Sequence, residues 1–153
     1  MTPELLPLVY TAQSKRAFYC RDAVCEFALR RGWAPLNPFR AFGYFLGDRV
    51  ERDAVRRANQ AVICRADAVW SFGRELADGV LAEVALARRL GKPVRFFTVS
   101  PRAEEIVELA PGELEFEDEL LGQADRGELL AVVAGERPYT RAVDPPVTPP
   151  PER

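Results

Sequence analysis

The sequence predicts an α/β fold built on a mainly parallel sheet of about five strands. Three observations predict it. Short apolar runs recur at Leu6–Thr11, Trp33–Leu36, Asp67–Gly73 and Val94–Val99. Between them lie longer segments whose apolar residues repeat at helical spacing, and glycine or proline punctuates the joints. Strand–helix alternation of this kind selects a parallel sheet, because each crossover helix returns the chain to the same sheet edge and covers a face. A length of 153 residues suits one hydrophobic core, and 48% apolar with 29% charged residues fits a folded chain rather than a disordered one.

Each element has its own justification. Leu6-Pro7-Leu8-Val9-Tyr10-Thr11 reads as a buried strand, and Ser14 can cap the helix that follows over 14–31. On that helix Phe18, Val24, Phe27 and Ala28 share a face, and Gly32 ends it. Trp33–Leu36 is a short second strand. Asn37–Phe45 is an aromatic-rich loop, which must pack on something to hide four rings. Asp48 can cap a helix over 49–64, with Val50, Ala54, Ala58, Ala61 and Val62 as its apolar stripe and Arg49, Arg52, Arg56, Arg57 and Arg65 as a solvated outer face. The third strand is Asp67–Gly73. A helix over 78–90 turns Val80, Val84 and Ala87 inward and stops at Gly91-Lys92-Pro93, before the fourth strand. The acidic stretch 102–134 predicts one or two helices, the clearest from Glu117 to Ala134. A folded unit over 1–136 and a Pro-rich tail over 137–153 are expected, since six prolines fall between Pro138 and Pro151.

Composition excludes several classes of chemistry. There is no histidine, hence no Ser-His-Asp triad, no Cys-His dyad and no HExxH zinc site. No metal and no cofactor are expected. Cys20, Cys25 and Cys64 are an odd set without CxxC spacing, which predicts reduced thiols in a cytoplasmic protein. No apolar run approaches the ~20 residues that span a bilayer, and Met1-Thr2-Pro3-Glu4 opens no signal peptide, so no membrane partner is expected. The net charge of −2 hides an asymmetry: residues 1–100 carry 16 basic and 10 acidic groups, residues 101–153 carry 5 and 13. The basic excess in the first part suits a phosphate-bearing ligand. No basic stripe with interleaved aromatics speaks for nucleic acid.

In a parallel sheet, ligands bind beyond the strand C-termini, at the switch point. Those positions here are Tyr10 to Arg16, Asn37 to Phe45, Ser71 to Glu83 and Thr98 to Arg102. Glu83 lies one turn into the third helix, after Asp78 and Gly79, where the helix dipole favours an ionised carboxylate. Such a group suits nucleophilic attack. Gln13, Ser14, Lys15 and Arg16 offer a phosphate cradle where strand meets helix, although neither GxGxxG nor GxxxxGK[ST] is present. A response-regulator receiver is excluded, because Thr11-Ala12-Gln13 and Ser71-Phe72-Gly73 stand where its acidic residues belong.

The stretch Ala66-Asp67-Ala68-Val69-Trp70-Ser71-Phe72-Gly73, followed by Asp78-Gly79-Val80-Leu81-Ala82-Glu83 and by Gly91-Lys92-Pro93-Val94, resembles the nucleoside 2-deoxyribosyltransferase-like superfamily. The resemblance spans about residues 6–100. It implies a flavodoxin-like, Rossmann-like three-layer sandwich, assembled as a homodimer or higher oligomer with composite sites. It implies that Glu83 is the nucleophile on the sugar C1′, that Asp67 orients the sugar or helps protonate the leaving base, and that Tyr10 positions the nucleophile. Gln13, Ser14, Lys15, Arg16, Asn37, Phe39, Phe45, Asp78 and Gly79 are the substrate-binding residues it suggests. Members often carry an acid eight positions before Asp67, where this chain has Asn59. The implied activity is an N-glycosidase-type hydrolysis of a nucleoside or nucleoside 5′-monophosphate. Base exchange between deoxynucleosides and non-catalytic nucleotide sensing are the alternatives.

Overall fold

The computed structural model describes residues 4–43 and 49–139. Tyr44, Phe45 and the cap residue Asp48 lie outside the described residues, as does the tail from Thr140 onward.

The strands are β1 (Leu8–Gln13), β2 (Ala34–Leu36), β3 (Ala68–Phe72), β4 (Glu75–Leu76), β5 (Val94–Phe97), β6 (Glu108–Leu109) and β7 (Glu115–Phe116). The helices are α1 (Arg21–Arg30), α2 (Arg52–Arg65), α3 (Asp78–Arg89), α4 (Asp118–Leu121) and α5 (Arg126–Val133). A five-stranded sheet runs in the order β2-β1-β3-β5-β6. Its first four strands are parallel, and β6 closes the edge antiparallel to β5. The predicted α/β class and strand number are both found. β4 and β7 add a small parallel pair that the sequence did not predict. Two-residue strands are too short to leave an alternating pattern.

Alternation along the strands sorts side chains onto two faces. Val9, Trp70, Phe72 and Phe97 meet α1, where Phe27 sets its ring edge-on to Trp70, Phe72 and Phe97 at centroid distances of 6.2, 5.7 and 4.9 Å. Tyr10, Ala12, Val69 and Phe96 face the other way, toward Val80 and Val84 of α3, Ile63 of α2 and Leu129, Val132 and Val133 of α5. The result is three layers, with α1 on one side of the sheet and α2, α3 and α5 on the other.

Two element boundaries and one buried face differ from expectation. Ser14 caps as predicted, but the segment Lys15–Cys20 is 3₁₀-helical with a kink at Ala17, and the α-helix begins only at Arg21. The predicted helix over Glu117–Ala134 is two helices, α4 and α5, and the second begins afresh at Asp125, whose carboxylate caps the N–H of Glu128. On α2 the predicted stripe is not the buried face: Ala54 and Ala61 are exposed, and Ile63 is the residue fully buried. Alanines offer little apolar area, so one isoleucine outweighs them in choosing which side packs.

Candidate functional site

Strand order reverses direction between β1 and β3: the chain leaves β1 toward β2, then returns to the other side of β1 as β3. The crevice beyond these strand ends is the switch point. It holds an open cleft of about 1170 Å³. One wall is the β1 exit with its 3₁₀-helix and the turn at Phe39, one is α2, one is α3 along its whole length, and the C-terminal turn after α5 forms the rim. Ser14 shapes the β1 exit, its hydroxyl accepting the N–H of Arg16 at 3.2 Å. At the start of α3 the N-cap is Ala77, which has no side chain to satisfy the first-turn N–H groups. The positive end of this helix therefore opens on the cleft unscreened by a cap.

Glu83 lines the cleft from α3, with one carboxylate oxygen buried. Beneath it stands Tyr10 of β1, itself fully buried. The Tyr10 hydroxyl lies within the field of the Glu83 carboxylate, and among the described residues it is buried without a hydrogen-bond partner. Burial first, then the Glu83 charge, push the Tyr10 hydroxyl well above its ordinary value of 10.0. The phenol therefore stays protonated beneath the carboxylate. Among the described residues no cluster of three or more acidic, thiol or imidazole groups is arranged to hold a metal ion.

The structure brings together Gln13, Ser14, Lys15, Arg16, Phe39, Asp78, Gly79 and Glu83, all on the cleft. Asn37 lies under it instead. Its amide donates to Thr11 Oγ1 at 2.9 Å and Gln13 Oε1 at 2.8 Å, and its carbonyl oxygen accepts the N–H of Phe39 at 3.0 Å. Gln13 donates in turn to the Ala17 carbonyl at 2.6 Å. Asn37 is thus a scaffold residue that ties the aromatic turn Phe39–Gly43 to the β1 exit, not a group that faces a base. Phe45 lies outside the described residues.

Asp67 is a correction. It precedes β3 at the strand entry, is exposed, and accepts the backbone N–H of Leu8 at 2.8 Å. The cleft lies at the strand exits, about 16 Å away at the rise of an extended chain. A carboxylate there pins β1 to β3 and stands apart from the cleft that Glu83 lines.

Sequence reasoning missed the contribution of α2 and of the C-terminal segment. Arg52, Arg56 and Asn59 recur at helical spacing and share the cleft-facing side of α2, joined by Arg57. The expected solvated outer face of arginines is in part a cleft wall. The signal was present in the basic excess of residues 1–100, but spacing alone does not say which side of a polar helix meets a cavity. Eight basic and five acidic side chains line the cleft, so its net charge is positive. Asn59 carries a buried side-chain oxygen with no hydrogen-bond partner among the described residues. From the C-terminal segment, Tyr139 reaches the α3 N-terminus and donates to Asp78 Oδ1.

These features define an α/β protein with an open, net-positive cleft in which Glu83 stands over the buried Tyr10. Residues 9–97 match the family described as a domain of unknown function, DUF7768, and the chain belongs to that family. No curated protein sequence matches the chain. Among solved structures, a 2-deoxyribosyltransferase from Bacillus psychrosaccharolyticus is similar at 24% identity and a TM-score of 0.45, over 80% of this chain and 95% of that one. Among the described residues no helix is long and apolar enough to cross a membrane.

Proposed function

We propose that the protein breaks the base–sugar bond of a nucleoside or nucleoside 5′-monophosphate, with Glu83 as nucleophile. The observation that carries this reading is the Tyr10–Glu83 pair beneath an open, net-positive cleft. The motif resemblance around Asp78–Glu83 supports it. In the proposed reaction the Glu83 carboxylate bonds to C1′ as the C1′–N bond breaks. The bonding pair leaves with the base, which takes a proton from solvent. Water then cleaves the glycosyl ester and restores the carboxylate, as in retaining glycosidases. An acceptor base in place of water gives base exchange. The α3 N-terminus with Lys15, Arg16 and the α2 arginines would hold a 5′-phosphate. Assembly as a homodimer belongs to the same reading, and light scattering tests it.

The test is release of base, followed by chromatography, from a panel of nucleosides and nucleoside 5′-monophosphates. Wild type should release base and Glu83→Gln should not; equal release by both would end the reading. A second reading, a nucleotide-binding module without turnover, is favoured by two observations. Asn59 is a neutral amide on the α2 wall, and Asp67 lies at the far end of the sheet. Ligand-induced thermal stabilisation with no product would select it.

A further inference from the structure

We infer that Tyr139 is a positioning residue for the Asp78 carboxylate, so that the C-terminal segment completes the end of the cleft that receives a pentose. For the ligand class this rests on the proposed function; the geometry stands on its own.

Helix α5 ends at Val133, and the turn behind it is anchored on α3. Arg88 Nε donates to the Val133 carbonyl at 2.9 Å, and the N–H of Glu136 returns to the Ala131 carbonyl at 2.9 Å. Gly135 has φ +79, and a Cβ there would lie 3.1 Å from the Arg88 Cβ, so the turn sits directly on the far end of α3. From that point four residues bring the chain to Tyr139, whose hydroxyl donates to Asp78 in the first turn of α3. The helix rises about 15 Å between Asp78 and Arg88, and four extended residues cover about 14 Å. The segment therefore runs straight back along α3, and Gly135, Glu136, Arg137, Pro138 and Tyr139 all line the cleft. The Tyr139 ring packs on the core beneath, which fixes the hydroxyl. Asp78 is both a first-turn helix residue and a cleft residue, so whatever orients its carboxylate sets the acceptor presented to a ligand hydroxyl. Tyr139 lies 42 positions beyond the end of the family match, so this support is not part of the matched region.

The test uses the full chain and two base-free probes, ribose 5-phosphate and 2-deoxyribose 5-phosphate, with affinity read by calorimetry and folding by thermal melting. Tyr139→Phe removes only the hydroxyl. It should raise Kd for at least one probe about five- to tenfold with little change in Tm, a loss in keeping with the net contribution of one ordinary hydrogen bond. Asp78→Asn should weaken binding comparably, and the double variant should lose no more than Asp78→Asn alone. An unchanged Kd in Tyr139→Phe, losses that add, or no binding of either probe by wild type would overturn the inference. Base release is scored separately. If Tyr139-dependent binding occurs but Glu83-dependent release does not, the glycosyl-transfer reading fails and the role of Tyr139 stands. If release occurs and Tyr139→Phe leaves KM and Kd unchanged, the reverse holds.

Discussion

The Tyr10 hydroxyl, buried in the sheet, stands beneath the carboxylate of Glu83 on α3 and feels its charge, across the interface between the strand and helix that bound the cleft. A hydrogen bond from this hydroxyl to the carboxylate, closed as substrate fills the cleft, would contribute about 1.5–3 kcal/mol. Tyr10→Phe should therefore lower kcat/KM for base release about 10- to 100-fold while the protein remains folded. Steady-state kinetics on the purified variant check this, and an unchanged kcat/KM would refute the positioning role.

The same pair predicts a pH dependence of stability. The folded-state pKa of Tyr10 is raised above its ordinary value of 10.0, chiefly by burial. Its contribution is complete below about pH 10 and is lost as pH rises toward the folded-state value. Wild type should lose stability above pH 10 more steeply than Tyr10→Phe. Urea midpoints measured from pH 8 to pH 11 compare the two; parallel curves would contradict the assignment.

Asn37 predicts a different kind of loss. Its three hydrogen bonds, to Thr11, Gln13 and the Phe39 N–H, join β1 to the aromatic turn. Asn37→Ala leaves the Thr11 and Gln13 oxygens buried without that donor, and each such group costs about 1–3 kcal/mol. The variant should be destabilised by at least about 2 kcal/mol in urea. KM should also rise, because Phe39 on the cleft wall loses its anchor. Destabilisation below 1 kcal/mol would mean that water replaces the amide.

The contrast between Asn37 and Asp67 shows what the sequence could convey. Both stand beside strands, and both are polar residues within matching motifs. The strand–helix rhythm located their strands correctly, and with them the switch point, Glu83 and Tyr10. It also put Asp67 at the start of β3, opposite the strand exits, and the sugar-orienting role came only from the resemblance, because a motif records neighbours along the chain and not height in the sheet. Nor could periodicity separate the two roles of an amide: a base contact and a scaffold carry the same letter. The α2 wall was hidden because its apolar positions are mostly alanine, which leaves the helix rotation to one side chain, Ile63. The return of Tyr139 to Asp78 joins residues 61 positions apart, beyond the reach of any local pattern.

The α1 face of the sheet offers a prediction independent of function. Phe27 meets three aromatic rings edge-on and is 1% exposed, while Arg31 stacks over its face at 3.5 Å. Phe27→Ala removes the central ring of this cluster and should cost about 3–5 kcal/mol. A loss below 2 kcal/mol in urea unfolding would show that α1 repacks over the gap.

Asn59 predicts a gain in stability bound to a loss of function. Its buried side-chain oxygen has no partner among the described residues, an arrangement that costs about 1–3 kcal/mol unless a ligand or water fills it. Asn59→Leu keeps the shape and removes the polar atom. If the amide serves a ligand, the variant should melt at or above the wild-type temperature without ligand. It should also lose affinity for nucleosides or nucleoside 5′-monophosphates about tenfold or more, since discrimination by a missing polar partner is steep. The two readouts together are diagnostic, because sites built for ligands trade unliganded stability for binding. A variant that melts lower and binds as well as wild type would place Asn59 among the structural residues of α2.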